Sequence, residues 1–251
     1  MARLILLGTA NAVPDETHEN THLAVVASDG VVLIDCVSTP RVRLRRAGID
    51  LDSITDLILT HFHPDHVSGV PLLLMNMWLM GRQRPLRVYG LHHCLERVED
   101  MMGFYHWENW PDFFQVSFHR LPERERVLVL EKKEFRIYSS PVRHLVPTIG
   151  LRMEGVDGRG VIAYSCDTEP TPSVVRLAGG ADLLLHESSG DGPGHSTPAQ
   201  AGMIAAQAEV ARLLLIHYPV DGLVEADLVQ QARTAFQGDV AVARDFDAFE
   251  L

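Results

Sequence analysis

The chain has 251 residues, a formal net charge of −11, and apolar and charged shares of 46% and 22%. These ordinary proportions exclude a disordered or collagenous chain, and no apolar run approaches the roughly 20 residues that cross a bilayer. The negative charge argues against a protein that grips nucleic acid over a long footprint, and two bound divalent ions would still leave about −7.

The opening, MARLILLGTA, is too short in its apolar part for a signal peptide and reads as a first strand over 3–7. Further strands are expected over 22–27, 31–35, 56–60, 86–90, 113–118, 126–130, 134–138, 149–153, 160–164, 182–186 and 212–216. EKKE at 131–134 fits a hairpin turn. Helical spacing marks 39–47, 69–80, 92–102, 171–178, 198–208 and 224–236. Thr39-Pro40, Thr171-Pro172 and Thr197-Pro198 each place a capping residue before a proline at the first helical position. With no repeat, low-complexity tract or linker, one domain over 1–251 is expected, with sheets covered by helices on their outer faces. Cys36, Cys94 and Cys166 are few, odd in number and widely spaced, which points to a reducing cytoplasm, and none forms a CxxC pair, which excludes a zinc ribbon.

Residues 101–114, MMGFYHWENWPDFF, are rich in aromatics, and LLLMNMWLM at 72–80 adds Met and Trp. Packing around a helix accounts for both; a protomer interface or an apolar wall beside the site is the alternative. The basic runs RVRLRR (41–46) and GRQRPLR (81–87) read as solvated faces. A clamp on RNA would make binding strongly salt-dependent.

The chemistry concentrates in LTHFHPDHVSG, residues 59–69, where His61, His63, Asp65 and His66 crowd the end of an apolar run. Such a cluster is costly unless a cation sits among its members. Imidazole nitrogen and carboxylate oxygen suit zinc, and also manganese or iron. His144, Asp167 and His217 each close a later apolar strand and supply further candidate ligands.

The order HxHxDH, then His144, Asp167 and His217, resembles the metallo-β-lactamase superfamily, whose fold is a four-layer αβ/βα sandwich: two mixed β-sheets flanked by helices. VLIDC at 32–36 matches the strand and aspartate before the motif. The resemblance implies two divalent metal ions, one held by His61, His63 and His144, the other by Asp65, His66 and His217. Asp167 would bridge them, and Asp35 would orient ligands. LLHES (184–188), GHSTP (194–198), LLGTANAVP and VRHLVPTIGLR narrow the resemblance to ribonuclease Z and its phosphodiesterase relatives. That branch implies a histidine at the scissile phosphate, here His195, held by Glu187, while Asp65 orients the attacking water. His186 and Ser196 are read as structural, Ser196 in a cap or turn.

The chain departs from ribonuclease Z in two places. Only 22 residues separate His144 from Asp167, enough for a hairpin but not for a basic tRNA-holding arm, and DCVSTP stands where DCGEGT is typical. The expected function is hydrolysis of a small or unstructured phosphodiester, with tRNA disfavoured. Alternatives are tRNA 3′ processing, lactone or thioester hydrolysis, and a metal site that only holds the fold. No membrane partner is expected; a homodimer is, by the same resemblance.

Overall fold

The structure, a computed structural model, describes residues 1–156, 158 and 160–251. Asp157 and Arg159, inside the connection expected to form a hairpin, lie outside the described residues. Two seven-stranded sheets face each other. The first is ordered β14 (Ala248–Glu250), β1 (Arg3–Gly8), β2 (His22–Ala27), β3 (Gly30–Ile34), β4 (Ile54–Ile58), β5 (Leu86–Leu91) and β6 (Val116–Leu121). The second is ordered β13 (Asp239–Val242), β12 (Arg212–Ile216), β11 (Leu183–Glu187), β10 (Val161–Tyr164), β9 (Thr148–Gly155), β8 (Phe135–Val142) and β7 (Val127–Glu131). Both are mixed: β3 to β6 and β10 to β13 run parallel, the remaining pairs antiparallel.

Strand periodicity explains the layering. Leu4 and Leu6 of β1, Val32 and Ile34 of β3, and Leu185 of β11 enter the core between the sheets. Their alternates Ile5, Leu7, Val31 and Leu33 turn outward, under α1 (Pro40–Arg46), α3 (Val70–Leu79) and α4 (His92–Gly103). Leu184, Leu213 and Leu215 do the same beneath α5 (Pro172–Ala178), α6 (Pro198–Gln207) and α7 (Glu225–Arg233). Because both faces are covered, the parallel strands read as continuous apolar runs. The result is the expected four-layer αβ/βα sandwich.

Some boundaries differ from those expected. β4 ends two residues early because the Thr60 amide donates to the Asp35 carboxylate instead of a neighbouring strand. β6 starts at Val116, not 113, because Phe113 and Phe114 pack with the Trp107 and Trp110 group. The segment after β4 contains one helical turn, α2 (Pro64–Val67), which the sequence did not mark as helical. Thr171 and Thr197 cap their helices through their hydroxyls, and Thr197 forms a capping box with Gln200. Thr39 makes no such bond, which corrects the expected cap. Trp78 stacks on Trp110 at 4.8 Å, and Met101, Met102, Trp107, Phe113 and Phe114 pack against the same helix layer, whereas Phe104 and Tyr105 are exposed.

The sheets are tied at the end where β4 and β5 begin. In the turn after β7, Lys132 Nζ lies 2.7 Å from Asp56 Oδ2 of β4 and donates to Thr55 Oγ1, while Arg87 Nε of β5 lies 2.7 Å from Asp56 Oδ1. Burial pushes the Asp56 carboxyl up, but hydrogen bonds from Lys132, Thr55 and Arg87 outweigh it and hold the carboxyl below its usual range. Lys132→Met is expected to lower stability by about 2 kcal/mol near neutral pH, because it removes one of the two cations bonded to this buried carboxylate and leaves Arg87 as the other. A depressed carboxyl stabilises above its unfolded pKa and less as pH falls through the folded value. The deficit in urea unfolding should therefore shrink in acid.

Candidate metal centre

The candidate residues gather where strands end. Asp35 follows β3, His61 lies three residues after β4, His144 two after β8, Asp167 three after β10, and His217 directly follows β12. Outside the carboxyl ends of parallel strands, side chains can be held over a rigid edge. Asp35, Cys166 and His217 have φ of 58°, 53° and 53°, the left-handed region that bends the chain sharply out of a strand. Pro64 opens α2, whose single turn carries Asp65 and His66 beside His61 and His63.

Four of the five imidazoles, all but that of His63, are fixed through Nδ1. Asp35 Oδ2 lies 2.8 Å from His66 Nδ1, and Thr60 Oγ1 donates to Asp35 while lying 3.2 Å from His61 Nδ1. His144 Nδ1 donates to the Gly194 carbonyl at 2.7 Å. Ser189 Oγ donates to the His217 carbonyl, so at 2.8 Å it accepts from His217 Nδ1. These bonds place the hydrogen on Nδ1 of His144 and His217, and of His61 once Thr60 has donated elsewhere. Their Nε2 atoms are left to face inward.

The inward atoms form two groups. His61 Nε2 and His144 Nε2 lie 3.0 and 3.1 Å from His63 Nδ1, and each lies 3.9 Å from Asp167 Oδ2. His217 Nε2 lies 3.4 Å from both Asp65 Oδ2 and Asp167 Oδ1, and His66 Nε2 is 3.6 Å from Asp65 Oδ2 and 3.5 Å from Asp167 Oδ2. Both groups qualify as metal-holding sets, and Asp167 belongs to each. Donors bonded to one tetrahedral ion at 2.0–2.1 Å lie roughly 3.3 Å apart, which these spacings bracket.

Two facts favour cations here. His66 Nε2 and Asp167 Oδ1 are buried without a hydrogen-bond partner, a costly state in a native interior. The Nε2 lone pairs of His61 and His144 both converge on His63 Nδ1, which has at most one hydrogen to give and so can satisfy only one of them. Burial disfavours the charged form of His61 and, with neighbouring His66, holds it well below its ordinary range. Burial also opposes charge on His66, yet Asp167 and Asp35 outweigh it and keep it well above. Burial would raise Asp167, but His217, His66 and His61 hold it well below the carboxylate range. Positive charge is called for between these groups.

Beside the cluster, His195 Nδ1 lies 3.1 Å from Glu187 Oε1, and its ring stacks 6.0 Å from His217 and meets His144 edge-on at 5.0 Å. The Glu187 hydrogen bond raises the His195 pKa against partial burial. Glu187 is itself fixed by the amides of Thr168, Ser196 and Ser189. Ser196 donates to the Thr168 carbonyl, pinning the loop. Gly194 has φ +82°, and a Cβ there would sit 2.7 Å from His144 Nδ1, so only glycine allows this carbonyl to reach the ring. His186 is buried with Nδ1 on the Glu187 carbonyl. Thr60, Ser189 and the Gly194 carbonyl were not singled out by sequence; the hydroxyls beside His61 and Glu187 were the available signal.

The sequence pattern of the family described as Beta-lactamase superfamily domain matches residues 31–218, a span from β3 to just beyond the last histidine of the cluster. The chain belongs to the beta-lactamase superfamily. Among its superfamily relatives, the ribonuclease Z of Methanothermobacter thermautotrophicus is 28% identical over 94% of this chain and 92% of its own length. That alignment spans 296 positions, more than this chain has residues, so the relative carries insertions that this chain lacks. Among solved superfamily structures, the metallo-beta-lactamase fold protein YhfI from Bacillus subtilis superposes with a TM-score of 0.83 at 22% identity, covering 100% of this chain and 99% of its own. A diphosphatase of the PhnP family gives 0.77 at 21%, covering 100% and 98%. Both share the fold.

The carboxylate of Asp35 is the anchor of this superfamily site, touching both Thr60 and His66. Asp35→Asn tolerates the left-handed backbone but removes the charge facing His66. It is expected to weaken binding of one metal ion by about 10–100-fold, readable by competition with a chromogenic chelator.

Proposed function

We propose that the protein is a dinuclear metal-dependent phosphodiesterase acting on a small or unstructured phosphodiester. The observation that carries this reading is the His195–Glu187 pair set against the double cluster of donors. His61, His63 and His144 would hold one ion, Asp65, His66 and His217 the other, with Asp167 shared; zinc suits this donor set, and manganese or iron can replace it. Two such ions would acidify a water and draw charge from the phosphoryl oxygens.

The chain's own groups supply the remaining chemistry. Asp65 orients the attacking water through its carboxylate. His195, half-buried and held by Glu187 in a cationic state, faces the developing negative charge and protonates the departing alkoxide at its free Nε2. Glu187 is too deeply fixed to reach substrate and serves to orient that ring. Ser189 and the Gly194 carbonyl keep two ligand rings turned inward.

The tRNA-processing reading draws support from the curated relatives named ribonuclease Z. Against it stand the shorter chain and the connection from β8 to β10, which is a strand pairing with little beyond it. Trp107, Trp110 and Phe113 pack against the helix layer, while Phe62, Met101 and Phe104 border a groove of about 420 Å³, where the acyl group of a lactone or thioester would have to lie. We read 1–251 as one hydrolase domain, since β14 near one end of the chain closes the sheet begun by β1 at the other. No helix among the described residues is long and apolar enough to cross a membrane; three buried free cysteines suit the cytoplasm. Exposed Phe104 and Tyr105 suit a homodimer contact.

The test loads the protein with zinc or manganese and assays cyclic and linear phosphodiesters, precursor tRNA, lactones and thioesters. Turnover of diesters that is abolished by a chelator and restored by metal supports the reading. Turnover of esters alone, or correct tRNA cleavage exceeding that of small diesters, would replace it.

A further inference from the structure

The loop that carries His195, GDGPGHS over 190–196 between β11 and α6, has glycine at 190, 192 and 194 and so little stiffness of its own. It is closed on itself by bonds from the Gly190 amide to the Ser196 carbonyl and from the His195 amide to the Gly192 carbonyl. Between those ends, among the described residues, the backbone of 191–195 bonds outside the loop at one residue, Gly194. Its carbonyl accepts from His144 Nδ1, and its amide donates to Glu169 Oε1 at 3.1 Å. The orientation of a candidate ligand ring and the place of the next residue, His195, therefore meet at one glycine. The other partner of that glycine is a carboxylate.

Glu169 is itself built into place. Its amide donates to the Arg143 carbonyl at 2.7 Å, and its own carbonyl accepts from the Thr168 hydroxyl. Its Oε2 lies 3.0 Å from Arg143 Nε. Arg143 directly precedes His144, and its amide donates to that same Thr168 hydroxyl. The side chains of Arg143 and Glu169 are 74% and 34% exposed, and an ion pair in such a place adds little stability. Its effect is geometric, since it turns the other carboxylate oxygen toward Gly194. Three consecutive residues thus divide one task. Asp167 faces both groups of donors, Thr168 fixes Glu187 and Ser196 through its amide and carbonyl, and Glu169 fixes Gly194.

We propose that Glu169 is a positioning residue of this site, which by holding Gly194 sets the His144 ring and His195 together. Without it the glycine-rich loop would hang from His144, and that ring cannot anchor a mobile loop and be oriented by it at once. Glu187 would still orient the His195 ring, but the backbone beside that ring would lose its outer support. The consequence for His195 rests on the phosphodiesterase reading; the consequence for His144 does not.

The experiment compares the full chain as wild type, Glu169→Ala, Glu169→Gln and the control Arg176→Gln, which breaks an exposed ion pair with Glu125 elsewhere. In Glu169→Ala, amide hydrogen exchange over 190–197 of the metal-free protein should be about tenfold faster, as local opening becomes easier. Zinc affinity, read by competition with a chromogenic chelator, should fall about tenfold for one of the two ions. At saturating zinc, turnover of an alkyl diester should fall by about tenfold, and that of a p-nitrophenyl diester by less. Glu169→Gln should lie between this variant and wild type, because its amide oxygen still accepts from Gly194 while its NH₂ turns to Arg143. It carries the same test if Glu169→Ala fails to fold. The control should match wild type throughout. Wild-type exchange over 190–197 in both Glu169 variants, or faster exchange with zinc affinity and the ratio of the two rates unchanged, would overturn the proposal. Expected changes in exchange and zinc affinity, in a protein that cleaves no diester, keep the role toward His144 and remove the phosphodiesterase reading.

Discussion

Asp167→Asn is expected to reduce diester turnover by at least about a thousandfold and to cut bound metal from two ions per chain to one or fewer. The magnitude follows from the position. Losing one positioned electrostatic contact typically costs about 10²–10³ in rate, and this carboxylate lies within 3.4–3.9 Å of nitrogens from His61, His66, His144 and His217. The amide keeps the shape but removes the charge, and its NH₂ has no lone pair to offer a metal ion. Metal content by mass spectrometry and steady-state kinetics give independent readings. Wild-type metal content with reduced rate would show that Asp167 is not shared between the ions.

His195→Ala should lower turnover of alkyl phosphodiesters by about 10²–10⁴-fold, the usual contribution of a positioned acid. The loss should be far smaller for p-nitrophenyl diesters, whose leaving group departs without a proton. That contrast separates proton donation from a general disturbance of the site, because a damaged metal centre would slow both substrates alike. Glu187→Gln should show the same contrast more weakly, since the imidazole remains but loses the carboxylate that orients it. The bonds from the Thr168 and Ser196 amides at Oε1 can survive through the amide oxygen, while the new NH₂ faces the Ser189 amide, so thermal unfolding of the variant is measured beside its kinetics.

The local part of this site was legible because HxHxDH compresses four donors into six residues. His144, Asp167 and His217 could be found as polar residues closing apolar strands, but their convergence depends on sheet order, which periodicity does not encode. The supports were harder to see. Thr60 and Ser189 look like ordinary loop hydroxyls, and their roles arise only when Asp35 and His217 arrive from distant strands. At the edges, β13 and β14 are four and three residues long and partly exposed, too short to carry an alternating signal. Thr39 had the right neighbour for a cap and still made no bond, so sequence context at a helix start is necessary for capping without being sufficient.

The donors are divided between the two sheets: the 61–66 group belongs to the first, while His144, Asp167 and His217 belong to the second. During synthesis, a ribosome that has made β1 to β6 has displayed four metal donors without the three that come from the second sheet. Activity arrives only after residue 217 emerges and the halves close on each other, so an incomplete or half-degraded chain carries no hydrolytic hazard to the phosphodiesters around it.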